Sequence, residues 1–416
     1  MGKASSTSST RGEGSDSSSL DSDPWRALDL FAPTDEHRLL AETLREFVKR
    51  EVEPQAAEHD RAERFNHELF LKAGELGLLG VTIPERYGGA GLDAVAAVQV
   101  MEALSTSDPG FALAVLAHAI LFSQNCYVNA NEEQRQRILP KVVSGEWIGG
   151  MCMTEPSAGT DVMGMKSKAR RDGDDYILNG VKTFITNGGI DENTLGDIFI
   201  VYATTGEREI SSFLVEKGMD GFRLGQKWID KLGMRASYTT ELVFENVRVP
   251  AANRMGKEGE GTLHMMRNLE IERLTLAAQA TGIAQRALQV MTGYANERKA
   301  FGKPLRDFGQ IQRYLAETFA EWRAARSFVY DTARRLDLAS AGQRVDADAT
   351  KLFAAQVGKR AADAAIQVLG GNGYMGEYVV ERLWRDAKLL EIGGGTLEAH
   401  HKNLTKDLCR DPSLLL

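Results

Sequence analysis

The feature that most restricts the fold of this chain is a set of three long helical patterns in its C-terminal part. Apolar side chains recur at helical spacing over about residues 260–296, 308–338 and 344–369. Each pattern is much longer than the average globular helix of about 11–12 residues. Helices of this length usually bury their apolar faces against one another in antiparallel bundles. The sequence therefore predicts a C-terminal four-helix bundle over residues 256–416.

Residues 148–255 show a different periodicity. Short strand-like segments alternate there with turn signals, among them Asp172-Gly173 and Asn179-Gly180, and both dipeptides are strong hairpin signals. The region contains no alternation of strands with helices and no GxGxxG motif, so a dinucleotide-binding fold of the usual kind is excluded. The sequence predicts a compact β domain between two helical regions.

Residues 34–147 read as helical, with Thr34 or Asp35 placed to cap the first helix. Residues 1–33 are rich in serine and glycine and offer too little apolar surface to offset the entropy of ordering, so we expect a disordered tail. The predicted fold class is α+β, mainly α.

Composition excludes several function classes. The formal net charge is -8 and no block of lysine and arginine offers a basic face, which argues against nucleic acid as a partner. No apolar run approaches the roughly 20 residues needed to span a bilayer, so a membrane-spanning segment is not expected. The three cysteines lack metal-ligand spacing and fit a reducing compartment, and the seven histidines form no HExxH pattern. We expect no metal site.

The N-terminal tail offers two weak targeting signals. Its first six residues fit the short and common myristoylation pattern, but a single acyl chain anchors only weakly. The acidic residues of the tail do not fit a mitochondrial transit peptide, which should be rich in arginine and poor in acids. We therefore expect a cytoplasmic protein rather than one of the mitochondrial matrix.

Two stretches carry candidate chemistry. The first is Asn268–Leu276, where Glu272 stands among Ile271, Leu274 and Leu276. A lone glutamate on a helix is usually exposed or ion-paired, but in an apolar pocket desolvation would raise its pKa toward the working range of a base. The second stretch is the glycine run 393–395, which is either a plain loop before a helix capped by Thr396 or a close backbone approach to a ligand.

Five motifs, in order, resemble those of the acyl-CoA dehydrogenases, and the likeness extends over about residues 35–409. Each motif alone is weak, whereas five in the same order are highly specific. They are Met153-Thr154-Glu155-Pro156-Ser157-Ala158-Gly159-Thr160-Asp161, Phe184-Ile185-Thr186-Asn187-Gly188, Arg298-Lys299-Ala300-Phe301-Gly302-Lys303-Pro304, Gln367-Val368-Leu369-Gly370-Gly371-Asn372-Gly373-Tyr374 and Arg385-Asp386-Ala387-Lys388.

The resemblance implies an N-terminal helical domain, a middle β-barrel domain and a C-terminal four-helix bundle. It also implies FAD as cofactor, an electron-transfer flavoprotein as redox partner and a homotetramer. The activity implied is α,β-dehydrogenation of a short or medium, possibly branched, acyl-CoA, with the α-proton taken by a base and the β-hydride by flavin N5. Within the family the chain looks most like the isovaleryl-CoA type.

The resemblance also indicates the position of the base. Most members carry a catalytic glutamate where this chain has Gly394, whereas isovaleryl-type and long-chain members carry it on the long helix, in a segment like Ile271 to Leu274. Glu272 is therefore the expected base. Gly394 is expected to leave room for Glu272 and a branched acyl group, and to direct its N–H toward the thioester oxygen.

Further site residues are implied by matching positions. Substrate contacts are expected from Thr160, Glu270, Arg273, Gly394 and Gly395. Flavin contacts are expected from Met151, Met153, Thr154, Thr160, Phe184, Ile185, Thr186, Arg298, Phe301, Gln310, Gln367, Gly370, Gly371, Thr396 and Glu398, with Gln367, Gly370 and Gly371 approaching the adenosine half from a neighbouring subunit.

Some positions depart from the family pattern. Phe184 replaces a tryptophan and keeps a stacking surface without the N–H. Gly309 stands where glutamine is usual, with Gln310 one place on, and Leu263 replaces a tyrosine, which bears on acyl specificity. His400-His401 replaces a pair of arginines.

Three alternatives remain open at this point. The acyl group could be carried by a carrier protein instead of CoA. A flavin monooxygenase could share this fold, although it would not need Glu272. The chain could also be a silent thioester-binding or flavoprotein-binding scaffold.

Overall fold

The computed structural model describes residues 29–228, 230–340, 342 and 344–415. Residues 1–28 of the predicted tail lie outside this part of the chain. Residues 29–33, the last part of the predicted tail, are described. Within them, Phe31 packs edge-on against Tyr330 with ring centroids 5.0 Å apart. The carbonyl of Phe31 accepts a hydrogen bond from Gln99 at 2.8 Å. Packed structure therefore begins before Thr34, because the apolar ring of Phe31 is held by the helices behind it.

The first region is helical, and Thr34 caps its first helix by accepting a hydrogen bond from the His37 N–H at 3.4 Å. Two π-helical segments, Val48–Val52 and Ala117–Gln124, continue the first and fifth helices. The helices are α1 (Asp35–Phe47), α2 (Glu53–Arg61), α3 (His67–Glu75), α4 (Ala94–Ser105), α5 (Pro109–Leu116), α6 (Asn125–Asn129) and α7 (Glu132–Val143).

The helical stretch Pro109–Asn129 corrects one expectation from the sequence. Its 21 residues are long and apolar enough to cross a membrane by length and composition, with a mean hydropathy of 1.5. However, 83% of its most apolar window is buried inside the protein. A helix enclosed on all sides is apolar all round, which accounts for this composition.

The middle region is one eight-stranded sheet with the strand order β6-β7-β3-β2-β4-β5-β8, and β1 pairs with β4 in parallel. Buried side chains on one face of the sheet form an apolar cluster. Buried side chains on its other face form a second cluster together with side chains of α7. The strands are β1 (Gly149–Cys152), β2 (Lys168–Asp172), β3 (Asp175–Thr186), β4 (Ile198–Gly206), β5 (Glu209–Glu216), β6 (Phe222–Lys227), β7 (Thr239–Pro250) and β8 (Arg254–Met255).

Of the two predicted hairpin turns, only one forms. Gly173 connects β2 to β3 with a φ of 63°, as a tight turn requires. The Asn179-Gly180 turn is wrong, because both residues lie inside β3. The β3–β7 register shifts between Leu178 and Gly180, so this dipeptide forms a bulge and not a chain reversal.

The C-terminal region contains the three long helices near their predicted bounds. Helix α8 packs against α10, α9 and α4, and α11 packs against both α8 and α10. Gly358 of α10 allows a close approach to α8, since a Cβ there would lie 2.9 Å from the carbonyl oxygen of Ala280. The elements are α8 (Gly261–Glu297), β9 (Lys299–Ala300), β10 (Lys303–Pro304), α9 (Gly309–Arg335), α10 (Arg344–Leu369), α11 (Val380–Leu390) and α12 (Leu397–Arg410).

Candidate active site

Glu272 lies in the first half of α8 with only 7% of its surface exposed. Its apolar neighbours Ile271, Leu274 and Leu276 belong to the main buried cluster. Its Oε2 atom has no hydrogen-bond partner among the described residues. Burial raises the pKa of Glu272 to about 7, although the positive charges of Arg273 and Lys351 lower it in part. A carboxyl with this pKa can exchange a proton near neutral pH.

Gly394 lies directly against Glu272, in the connection between α11 and α12. A Cβ built on Gly394 would lie 3.4 Å from Glu272 Oε1 and 2.3 Å from Leu276 Cδ1. The second distance is too short for any real side-chain atom. The φ of Gly394 is 65°, which also favours glycine. The structure thus brings together the two residues on which the sequence interpretation depended.

Three contacts fix the glycine connection. Thr396 caps α12 by accepting a hydrogen bond from Ala399 N–H at 3.2 Å, as the sequence predicted. Lys351, fully buried on α10, donates from Nζ to the Gly395 carbonyl at 2.6 Å. A Cβ on Gly395 would lie 3.1 Å from His400 Cε1, so the histidine ring packs against this glycine.

A buried ionic cluster lies behind the connection. Arg273 Nη1 is 2.8 Å from Asp348 Oδ1, although its N–H is not aligned as a hydrogen bond. The same oxygen is 2.7 Å from His400 Nδ1, and Asn403 donates to Asp348 Oδ2 at 3.2 Å. Burial lowers the pKa of His400, which favours its neutral form. The charge of Arg273 is therefore already opposed by a carboxylate within the protein.

Glu270 is directed elsewhere from Glu272, as expected for residues two apart on a helix. Its carboxylate is buried and accepts hydrogen bonds from the Gly342 N–H at 3.1 and 3.2 Å. Gly342 belongs to the connection between α9 and α10. Glu270 therefore joins α8 to that connection.

Two further polar side chains on α8 follow the same face as Glu272. Asn268 lies one turn before the glutamate and Gln279 lies two turns after it. Both are buried, and neither carboxamide has a hydrogen-bond partner among the described residues. Buried polar groups in folded proteins are normally satisfied, so these two carboxamides are unusual positions on the face of α8 that carries Glu272. The sequence contained both residues but gave no signal that separates them from ordinary helix positions.

The segment after β1 is held by a buried ion pair. Lys182 of β3 donates to Glu155 Oε1 at 2.8 Å and to the Met153 carbonyl at 3.1 Å. The Thr183 N–H donates to the Thr154 carbonyl at 2.9 Å. The predicted flavin-contact residues Met153 and Thr154 are thus fixed to β3, while Thr160 is exposed beyond them.

Met151 connects this segment to the region of Glu272. Asn125 donates from Nδ2 to Met151 Sδ at 3.6 Å and to the Tyr202 hydroxyl at 3.1 Å. Burial raises the pKa of Tyr202, and the charge of Glu272 contributes to the rise. Met151 and the glutamate are therefore on the same side of the β region.

Phe184 has an unusual backbone and an unusual exposure. Its φ is 58°, and 62% of its surface is exposed. The β3–β7 register shifts between Lys182 and Ile185, which turns Phe184 out of the sheet while Ile185 remains buried. The ring lies 5.2 Å from that of Trp228. An aromatic platform held by a positive φ is expected where a flat ligand stacks.

The remaining predicted flavin residues occupy surface positions. Arg298 follows the last residue of α8, and Phe301 is 95% exposed. Gly370 and Gly371 have open space where a Cβ would stand, and the next residue, Asn372, donates to the Tyr294 hydroxyl of α8 at 2.9 Å. This contact brings the glycine turn to the end of α8 that leads to Arg298. Gln310, Gln367 and Glu398 are exposed.

Three residues of the site were missed in the sequence: Lys351, Asp348 and Lys182. Each is a charged residue with no exposed surface. Lys351 interrupts an otherwise apolar helical pattern, but lysine in a helix is normally exposed, so the interruption alone does not reveal burial. No cluster of three or more potential metal ligands occurs within the described residues.

Models of the three acyl-CoA dehydrogenase domains match this chain. The N-terminal model covers residues 34–146, the middle model residues 150–247 and the C-terminal model residues 259–409. The chain belongs to the acyl-CoA dehydrogenase family and has the fold of that family. The resemblance, fold class and enzyme class expected from the sequence are confirmed.

Among individual proteins, the mitochondrial isovaleryl-CoA dehydrogenase of Pongo abelii is 40% identical over 373 residues, which are 88% of this chain and 86% of that protein. Butyryl-CoA dehydrogenase from Megasphaera elsdenii has a TM-score of 0.86 and 36% identity, covering 90% of this chain and 98% of that chain. The acyl-CoA dehydrogenase complexed with FAD from Bacillus anthracis has a TM-score of 0.85 and 33% identity, covering 91% and 67%. These relatives differ in the acyl group that they are named for.

Proposed function

We propose that this protein dehydrogenates a short or medium, branched acyl-CoA between its α- and β-carbons, with Glu272 as the base. The observation that carries the proposal is the contact between Glu272 and Gly394. A buried carboxylate with an unpaired oxygen and a pKa of about 7 lies against a glycine whose backbone can approach it closely because it carries no side chain. This arrangement suits removal of a weakly acidic α-proton from a thioester.

Glu272 would take the α-proton onto a carboxylate oxygen. The developing negative charge on the thioester oxygen needs a donor, and the Gly394 N–H makes no backbone hydrogen bond among the described residues. This N–H is therefore available to stabilise the enolate. The apolar side chain of Leu276, one turn beyond Glu272, would line the acyl group, while Asn268, one turn before Glu272, would face the polar arm of CoA.

FAD fits the residues around this site. Phe184 offers an exposed aromatic face, the Met153–Thr154 backbone is fixed beside it, and Gly370 and Gly371 have open space for a phosphate or ribose. Arg298 supplies a positive charge for the pyrophosphate. When bound, FAD supplies the acceptor for the hydrogen and electron pair that leave the β-carbon. The FAD complex of the Bacillus anthracis relative supports this assignment.

The preference for a branched acyl group rests on the 40% identity to the isovaleryl-CoA dehydrogenase of Pongo abelii. The experiment is anaerobic bleaching of the purified yellow protein by isovaleryl-, isobutyryl-, butyryl- and octanoyl-CoA. We expect the branched thioesters to bleach the flavin fastest and to yield the α,β-unsaturated product. Fastest bleaching by butyryl- or octanoyl-CoA would contradict the branched preference, and no bleaching by any of the four would contradict the proposed function.

Electron-transfer flavoprotein is the proposed acceptor of the electrons, by analogy with the family, and the cytoplasm is the proposed location.

A homotetramer is proposed because α9, α10 and the following turn carry exposed large apolar side chains. A light-scattering mass of four chains is expected, and a monomeric holoprotein would contradict this assembly. The exposed side chains are Phe319, Phe353, Tyr374 and Met375.

A further inference from the structure

We propose that Lys351 is a positioning residue for the proposed base. Its ammonium group holds the glycine connection against Glu272, and its charge favours the ionised form of that carboxylate. This inference rests on the proposed function, because it assigns Lys351 to the same site. No motif in the sequence pointed to Lys351, and it lies on α10, an element separate from those that carry Glu272 and Gly394.

The geometry of Lys351 supports the first half of the proposal. The side chain has no exposed surface, and the described hydrogen-bond acceptor of its Nζ is the Gly395 carbonyl at 2.6 Å. Gly395 follows the residue whose added Cβ would lie 3.4 Å from Glu272 Oε1. A shift of the connection would therefore change the space beside the base. Lys351 is the buried side chain that fixes this backbone from the α10 side.

The surrounding charges support the second half. One turn before Lys351 on α10, Asp348 faces Arg273 at 2.8 Å and His400 at 2.7 Å. His400 is held neutral by burial, so Asp348 opposes a single positive charge, that of Arg273. Lys351 is thus a second positive charge beside Glu272, after Arg273, and unlike Arg273 it has no carboxylate partner among the described contacts.

Apart from Arg273, the other ionisable groups near the pair supply no positive charge to Glu272. Tyr202 faces Glu272 from β4, and burial keeps it neutral by raising its pKa. Glu391, at the end of α11, also attracts Lys351 but is paired with Lys388 at 2.7 Å. Burial lowers the pKa of Lys351 to about 8, while Glu272 raises it in part, so each group favours the charged form of the other.

The two roles can be separated by substitution. Lys351→Gln keeps an N–H donor for the Gly395 carbonyl but removes the charge, whereas Lys351→Arg keeps a charge and donors. Lys359→Gln is the matched control, because Lys359 lies two turns further along α10 and stacks on Trp384 with its Nζ 3.8 Å from the ring centroid. Flavin content and circular dichroism establish that each variant is folded and loaded.

The first readout is the pH dependence of anaerobic flavin bleaching by the best acyl-CoA. Removing a nearby positive charge raises the pKa of a carboxyl group. In Lys351→Gln, the pH range over which the bleaching rate rises should therefore shift by about one unit to higher pH. Its rate at pH 7 should fall by up to about tenfold and recover near pH 9. In Lys351→Arg and Lys359→Gln, the bleaching rate should rise over the same pH range as in the wild type.

A second readout needs no substrate. Infrared difference spectra between each protein and its Glu272→Gln counterpart isolate the carboxyl band of Glu272. Its titration midpoint should lie near pH 7 in the wild type and higher in Lys351→Gln. If the wild type and Lys351→Gln have the same titration midpoint and the same pH dependence of the bleaching rate, the role of Lys351 is overturned while the proposed function stays intact. If no acyl-CoA bleaches the wild type, the proposed function fails instead, and the infrared titration still decides whether Lys351 acts on Glu272.

Discussion

At the residue scale, Glu272 and Gly394 share one space although they stand on different elements. The pair was predicted through the family resemblance, because members carry the catalytic glutamate at one or the other of these two positions; the glycine run and the buried-looking glutamate alone also fit a plain loop and an ordinary helix residue. The burial of Lys351 and Asp348 could not be predicted from the sequence. It arises because α8 and α12, which are far apart in the sequence, both pack against α10. A charged residue within a helical pattern usually faces solvent.

Substitution of Gly394 by alanine tests the shared space. The added methyl group would meet Leu276 Cδ1 at 2.3 Å and would force alanine to a φ of 65°. The free energy of unfolding should therefore fall by about 2–3 kcal/mol, measured by urea denaturation. Gly293→Ala, on the open surface of α8, is the control and should leave stability unchanged or raise it. In a Leu276→Ala background the loss caused by Gly394→Ala should be smaller, because the clash with Leu276 Cδ1 is gone. If Gly394→Ala is as stable as the wild type, the connection is not packed against α8.

At the element scale, the long helices were predictable because each keeps one periodic apolar pattern over many turns. The Asn179-Gly180 bulge was not, since a hairpin signal is local and the pairing of β3 with β7 overrides it. The apolar length of the helical stretch Pro109–Asn129 was underestimated from the sequence, because polar residues such as Asn125 interrupt it. Asn125 is buried and bonded to Tyr202, so it does not break the apolar helix.

The connection between β1 and β3 depends on the buried pair of Lys182 and Glu155. Lys182→Met would leave the Glu155 carboxylate buried, with only the backbone N–H groups of Lys166 and Ser167 as donors. The free energy of unfolding should fall by about 3–5 kcal/mol, and flavin should be lost during purification. Absorbance of bound flavin and urea midpoints measure both effects. The double variant with Glu155→Gln should regain stability, and an unchanged midpoint in the single variant would show that the pair is dispensable.

At the scale of the whole molecule, the three regions meet around α8. The helix packs against α4 of the first region, contacts β5 of the sheet and is crossed by the α11–α12 connection at Gly394. The order of helical, β and helical regions was predictable from periodicity. The meeting point was not, because it arises from long-range packing that no local pattern encodes. The acyl group also could not be predicted, since the relatives include isovaleryl-CoA and butyryl-CoA dehydrogenases.

The central claim is that Glu272 removes the α-proton. Rapid-mixing measurement of flavin bleaching by the best acyl-CoA, for the wild type and Glu272→Gln, tests it most directly. The wild-type rate should rise with pH through about 7, because the carboxyl group must lose its proton before it can act as a base. Glu272→Gln should be slower by at least about a hundredfold without that limb, while Glu297→Gln, exposed at the end of α8, should match the wild type. Reduction of Glu272→Gln at the wild-type rate would contradict the account.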